Sequence, residues 1–318
     1  MLCQGRSQLA LTGLILVSAG LQAQPPTPAS TYRVSCDQEC LLQFADRYLD
    51  ALIHRMPSRA PLAPNVRFTE NGALLAIGDA LWATADALGE QKLVFTDPVS
   101  GGIHLYAGIV ENGQPSMLAA RLKVEDRQIT EIETSVLRRN ANDAAMASFA
   151  VERPIWSEEV PDSQRVSREE LIDIADSYFE GITQARGDVT PFDDRCVRFE
   201  NGGQMTLAET GGAVQQMSCQ QQFAAGMLII VTSVSHRRYL VIDEANQVAS
   251  AIVTFDHRGT LDAVPAGNPN NVSPGGQFSR PFSFLIFESF KIVGGRIRQV
   301  EATVFQVPYK MHPGWPDE

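Results

Sequence analysis

The chain repeats itself. ADRYLDAL at 45–52 returns as ADSYFEGI at 175–182, displaced by 130 residues. Glu70-Asn71-Gly72 returns as Glu200-Asn201-Gly202 at the same displacement, with VRF shortly before each. Further on, Lys123, Ile129, Ile132 and Glu133 correspond to Lys291, Ile297, Val300 and Glu301 at a displacement of 168. Order is kept, and the residues added in the second copy fall in two loop-like stretches, 210–223 and the Gly/Pro/Asn-rich run 261–281. Whatever one copy folds into, the other must too, so the sequence reads as a tandem duplication of one domain.

Each copy opens with a helix. Leu42, Ala45, Tyr48, Leu49 and Leu52 recur at helical spacing, as do Leu171, Ile174, Ala175, Tyr178, Phe179 and Ile182. Ser167 to Glu170 has the form of a capping box ahead of the second helix. Strands joined by hairpins follow: 103–110, 116–124 and 129–137 in the first copy, and 237–243, 247–255, 282–293 and 296–309 in the second. Helices first and an antiparallel meander after them is an α+β layout.

The helix, the Glu-Asn-Gly turn and three long strands ending in K-V-x5-I-x-x-I-E resemble the SnoaL-like, nuclear-transport-factor-like group. FDHRGT, FKIVGGRIRQVEA and VPYKMHPGW in the second copy are similar to exported members that carry this domain once or twice. The resemblance implies two tandem cone-shaped α+β barrel domains, each a curved antiparallel sheet packed on helices, with a pocket at the wide end. It implies no single reaction, since the group includes isomerases, cyclases, dehydratases, carbon–carbon lyases and plain binding subunits. The expected division is a signal peptide at 1–23, a linker at 24–35, a first domain at 36–140, a linker at 141–166 and a second domain at 167–312.

A single charge, Arg6, precedes an apolar run from Leu9 to Leu21 that is too short to span a bilayer comfortably. With Ala23 as a cleavage residue this reads as a secretory signal, so the protein is expected to be exported, periplasmic or secreted, with no membrane contact after its removal. In that compartment Cys36, Cys40, Cys196 and Cys219 favour two disulfides. Pairing within each half is the simplest of three connectivities. A net charge of −11 without a basic cluster argues against nucleic acid. The five histidines lack ligand spacing and no phosphate or dinucleotide loop is present, so neither metal nor cofactor is expected. A single cone leaves one sheet face bare, and the alternation Val300, Ala302, Val304 offers an apolar one. The halves are thus expected to pack as an intrachain pseudo-dimer, with a homo-oligomer as a further option.

Glu288 stands out for chemistry. Alternation places it with Phe282, Phe284, Ile286 and Phe290, where loss of water would raise its pKa into the range of a general acid or base. The first copy has Ala120 there, so the scaffold does not require it; the structural alternative is a partner such as Arg298. Asp256 and His257 end the preceding strand and offer a proton shuttle, although DHRG is also an ordinary turn. Arg238 and Tyr239 could hold a carboxylate or an oxyanion. Tyr178 is a further candidate for substrate contact, although its counterpart Tyr48 favours a packing role. His104 and Tyr106 share a strand face in the first copy, with Trp82 and Arg121 expected beside them and Ala249 and Ala251 at the matching positions of the second copy. The expectation is a cofactor-free acid–base lyase or isomerase acting on a small, largely apolar alcohol. Family resemblance adds one concrete version, cleavage of a lignin-type aromatic alcohol with release of formaldehyde. The alternative is an exported protein that binds such a molecule without chemistry.

Overall fold

The computed structural model describes residues 1–2, 36–138, 144–149, 151, 153–260 and 276–316. Arg33–Glu318 cluster as one compact unit. From residue 3 onward the expected signal peptide and linker lie outside the described residues, as do 139–140 of the first domain, 141–143, 150 and 152 of the second linker and 261–275 of the long loop.

Two six-stranded sheets carry the architecture. In the first, β1 (Leu62–Glu70), β2 (Ala73–Leu75), β3 (Ala85–Asp97), β4 (Gly102–Glu111), β5 (Gln114–Glu125) and β6 (Gln128–Arg138) are ordered β2-β1-β6-β5-β4-β3. The second uses β7 (Phe192–Glu200), β8 (Gly203–Gln204), β9 (Ser233–Asp243), β10 (Val248–His257), β11 (Phe282–Val293) and β12 (Arg296–Val307) in the order β8-β7-β12-β11-β10-β9. The sheets are mixed, not antiparallel throughout: β1 runs parallel to β6, and β7 to β12. The meander folds by hairpins, but the strand after the helix must reach its far edge. The whole meander is then the crossover that a parallel pair requires.

Both displacements read from sequence recur in the register, with Glu70 opposite Thr134 and Glu200 opposite Ala302. The Glu-Asn-Gly turns have positive φ at both central residues, 53° and 81° for Asn71 and Gly72 and 49° and 77° for Asn201 and Gly202, as a tight I′ hairpin demands. Each Asn also clamps the last strand: Asn71 accepts from the Val136 N–H at 2.8 Å, and Asn201 from that of Val304 at 2.8 Å.

Helices line one face of each sheet. α1 (Gln38–Ile53) buries Leu41, Phe44, Tyr48 and Leu52 against the first sheet with α2 (Leu81–Thr84); α3 (Ala144–Phe149) lies in the connector. α4 (Arg168–Gln184), with its Ser167–Glu170 capping box in place, does the same for the second sheet, helped by α6 (Cys219–Ala224), while α5 (Ala213–Gln216) buries no residue. The disulfides are Cys36–Cys40 and Cys196–Cys219, with Cα atoms 5.3 Å and 5.9 Å apart. Among the described residues no helix is long and apolar enough to cross a membrane.

The opposite faces of the two sheets meet. Phe95, Tyr106, Met117, Val241, Ile252, Leu285 and Phe287 form a third core between them. The face expected to make this contact is the wrong one. Val300, Ala302 and Val304 point inward to the α4 side, and Glu301, Thr303 and Phe305 face the other sheet, because side chains alternate along a strand. The C-terminal segment then crosses to the first half, where the Trp315 indole N–H donates to Thr69 Oγ1 at 2.9 Å.

Candidate functional site

The interior of the second half holds a cavity of about 100 Å3. Its apolar walls come from Phe255, Phe284, Ile286, Leu228, Ile230 and Val304, and its polar groups are Tyr178, Arg198, Glu200, His257 and Glu288. The register explains the space, since Glu288 lies between Ala251 and Ala302 on the neighbouring strands. The first half is built differently at the matching positions. Phe68 and Ala120 stand where the second half has Arg198 and Glu288, and Trp82 packs edge-on against Tyr48 at 5.6 Å.

Glu288 is 3% exposed, and its Oε2 has no hydrogen-bond partner. Burial pushes its carboxyl up to about 8, the nearby Arg198 charge and the Tyr178 hydroxyl pull it down, and Glu200 adds to the rise. Its structural alternative partner is engaged elsewhere: Arg298 donates to Asp193 at 2.7 Å. Arg198 reaches in from β7, donating to Gln222 Oε1 at 2.8 Å and to Glu200. Burial works against its charge, but Tyr178, Glu200 and Glu288 outweigh that and hold it cationic. Burial lowers His257 to about 4, against the pull of the Phe255 backbone and Asp256. Its ring is therefore neutral at pH 7, stacked 4.5 Å from Phe282.

Several sequence candidates stand elsewhere. Asp256 is on the opposite strand face from His257, accepting from Ser283 at 2.6 Å and Ser233 at 2.8 Å; it ties three strands together and does not line the cavity. Arg238 points away as well, into a buried ion pair with Glu133 of the first half at 2.6 Å. Tyr239 donates to Asp176 beside Arg237, outside the cavity lining. His104 and Tyr106 do share a face, with rings 5.0 Å apart, but it faces the second sheet. The Tyr106 hydroxyl donates to the Glu301 carbonyl at 3.0 Å, and burial with the Arg121 charge lowers His104 to about 3. Arg121 pairs with Glu131 near Trp315, whereas Trp82 is on the other side of the sheet, in the first-half core. The positions matching His104 and Tyr106 are Ser250 and Ile252, not Ala249 and Ala251; a slip of one residue exchanges the faces.

Arg198 and Glu200 escaped sequence reasoning for a related reason. The two VRF runs look equivalent but are one residue out of step. Arg67 is opposite Glu131 and turns outward to the Gly314 carbonyl, whereas Arg198 is opposite Val300 and turns inward. Aligning on Glu-Asn-Gly instead sets Arg198 against Phe68, the same kind of asymmetry that marks Glu288 against Ala120.

Residues 164–304, which include every polar group of the cavity, match a family described as "Domain of unknown function (DUF8021)". No curated protein matches the chain. Among solved structures, a de novo designed protein with a curved β-sheet is similar at 13% identity and a TM-score of 0.27, over 36% of this chain and 96% of that chain.

Proposed function

We propose that the second-half cavity is a cofactor-free acid–base site for a small, largely apolar alcohol, with Glu288 exchanging the proton. One observation carries this reading: a fully buried carboxyl, one oxygen without a partner, lines a cavity whose other walls are mostly phenyl and aliphatic. With its pKa near 8, about a tenth of Glu288 is ionised at pH 7 and able to take a hydroxyl proton. Arg198, in place of Arg238 or Tyr239, is the cation positioned to receive the charge that develops on the substrate oxygen. The reaction is then a lyase or isomerase step; in its concrete form Glu288 takes the hydroxyl proton, the alkoxide collapses to formaldehyde as the carbon–carbon bond breaks, and the neighbouring carbon keeps the bonding pair and takes the proton back from Glu288. At about 100 Å3 the cavity is below the roughly 150 Å3 that encloses benzene, so a small aliphatic alcohol suits it as it stands, a single ring requires its walls to give, and a diaryl ligand is too large.

The wider frame supports this reading. Equal strand order and repeated displacements favour two duplicated cones of the SnoaL-like kind. Two disulfides favour export to the periplasm or beyond. A binding protein without chemistry is the second reading, favoured by the neutral state of most Glu288 at pH 7, which makes it a hydrogen-bond donor to a carbonyl or hydroxyl oxygen.

The test is a thermal-shift screen of single-ring aromatic and small aliphatic alcohols, followed by an assay for released formaldehyde on the hits. Turnover that rises with pH toward 8, and falls about a hundredfold or more in a folded Glu288→Gln protein, supports the catalytic reading. A stabilising ligand that is never turned over supports the binding reading. Ligands that bind Glu288→Gln unchanged overturn both.

A further inference from the structure

A larger cavity, about 240 Å3, lies between the two sheets and the connector that follows the first half. It is separate from the Glu288 site and shares no residue with it. Phe95, Tyr106, Phe149 and Trp156 give it aromatic walls and Leu93 closes one side; its charged groups are Glu301, Arg153 and Lys92, the last paired with Asp46. Glu301 is 1% exposed, and neither of its carboxyl oxygens has a hydrogen-bond partner.

The duplication says what is missing. Glu301 corresponds to Glu133, and the two face each other's halves across the sheet interface. Glu133 has two cations. Arg121 stands loosely by it, Nε at 3.8 Å, and Arg238 of the other half grips both oxygens at 2.6 Å and 3.0 Å. Among the described residues Glu301 has the loose contact alone: Arg153 Nη1 comes within 3.3 Å, while the Arg153 guanidinium stacks 3.8 Å over Phe199 and donates to the Ser148 carbonyl. The gripping position is vacant. In the strand register Arg238 is opposite Ile252, and its first-half counterpart opposite Tyr106 is Leu93, a wall of the cavity.

We propose that this cavity is a second binding site, for a small organic cation of the ammonium, amidinium or guanidinium type, with Glu301 as its counter-ion. The ligand takes the place that the Arg238 guanidinium fills on the other side of the interface. The planar fork of an amidinium matches both carboxylate oxygens, and the aromatic walls favour a cation through their ring faces. At 240 Å3 the cavity has room for a ring attached to the charged group. Exposed Val151 and Ser157 at its rim put the opening at the surface.

The experiment titrates the full chain with benzamidine and benzylamine, and with benzoate and phenylacetate as controls, by calorimetry and thermal shift. The cations should bind and the controls should not. Glu301→Gln should weaken benzamidine by about tenfold or more, the scale of a hydrogen-bonded charge pair. Leu93→Arg supplies the absent guanidinium from within the chain, so it should raise the melting temperature and exclude benzamidine. If Glu301→Gln does not fold, Leu93→Arg decides alone. Benzamidine that fails to bind, that binds Leu93→Arg as well as the parent, or that binds no better than benzoate overturns the proposal. Because these probes and variants touch nothing in the Glu288 cavity, failure here leaves the acid–base reading standing.

Discussion

Asp97 and Asp243 hold corresponding places at the ends of β3 and β9, and each accepts a backbone N–H from the strand that carries the other. Ile242 donates to Asp97 and Thr96 to Asp243, both at 3.1 Å. This is the self-complementary pattern of a two-fold interface, drawn here from a single chain. It extends the likeness of the two halves from their strand order to the way they meet.

The pattern makes acid sensitivity predictable. Burial pushes the Asp97 carboxyl up, but Arg168, the Ile242 N–H and Ser100 outweigh it and hold it below its ordinary value of 3.8. A depressed folded pKa contributes stability that is complete above the unfolded value and is lost as pH falls through the folded one. Asp97→Asn should therefore cost about 2 kcal/mol at pH 7, because it removes the charge that Arg168 grips through two nitrogens and leaves that guanidinium the longer 3.6 Å contact to Glu244. The cost should shrink below pH 3.8 as the parent loses the same interaction. Urea unfolding of both proteins at pH 7 and pH 3 measures the two differences.

Glu288 has the opposite sign. Its folded pKa, near 8, is above the ordinary 4.5, so the folded state binds a proton that the unfolded state has released. Its contribution is complete below 4.5 and is lost as pH rises toward 8. Glu288→Gln should melt higher than the parent at pH 9, by an amount reflecting a few kcal/mol, and close to it at pH 4. A parent and variant that melt in parallel across that range would show Glu288 to be ionised and paired.

Cys196–Cys219 fastens α6 to β7, and α6 brings Phe223 to 5.0 Å from the ring of Tyr178 at the cavity. Closing a loop of this length is worth about 3 kcal/mol on the chain-entropy scale, against about 2 for the short Cys36–Cys40 ring. Replacing Cys196 and Cys219 by Ser should lower the melting temperature more than replacing the other pair. It should also weaken any ligand of the Glu288 cavity. Calorimetry of the two double variants ranks them.

What was legible in the sequence follows from where the information is local. Helices α1 and α4, the Asn-Gly turns and the long hairpin strands announce themselves through period and turn chemistry, and the disulfides through proximity. Glu288 could be placed among phenylalanines because parity along one strand is enough. Which strand face meets the other half was not legible, because both faces of β12 carry apolar residues and only the partner sheet decides. Arg238 illustrates the loss: nothing near it in sequence indicates that its partner, Glu133, is in the other half.

That pair supports the last prediction. Both side chains are 1% exposed, so neither can recover water if the other is removed. Breaking a buried pair from one side typically costs 3–5 kcal/mol, and about 3 is expected here because Arg121 remains within 3.8 Å of Glu133. Arg238→Met should therefore be strongly destabilising. Adding Glu133→Leu should recover most of the loss, since apolar pairs of similar volume often equal a buried ion pair and Arg121 keeps Glu131 as its partner. The two single variants and the double, unfolded in urea, form a cycle whose coupling energy isolates the pair. A double variant as unstable as the sum of its singles would mean that the pair contributes nothing to holding the halves together, and that the interface rests on its aromatic core and on hydrogen bonds such as those of Asp97, Asp243, Tyr106 and Trp315.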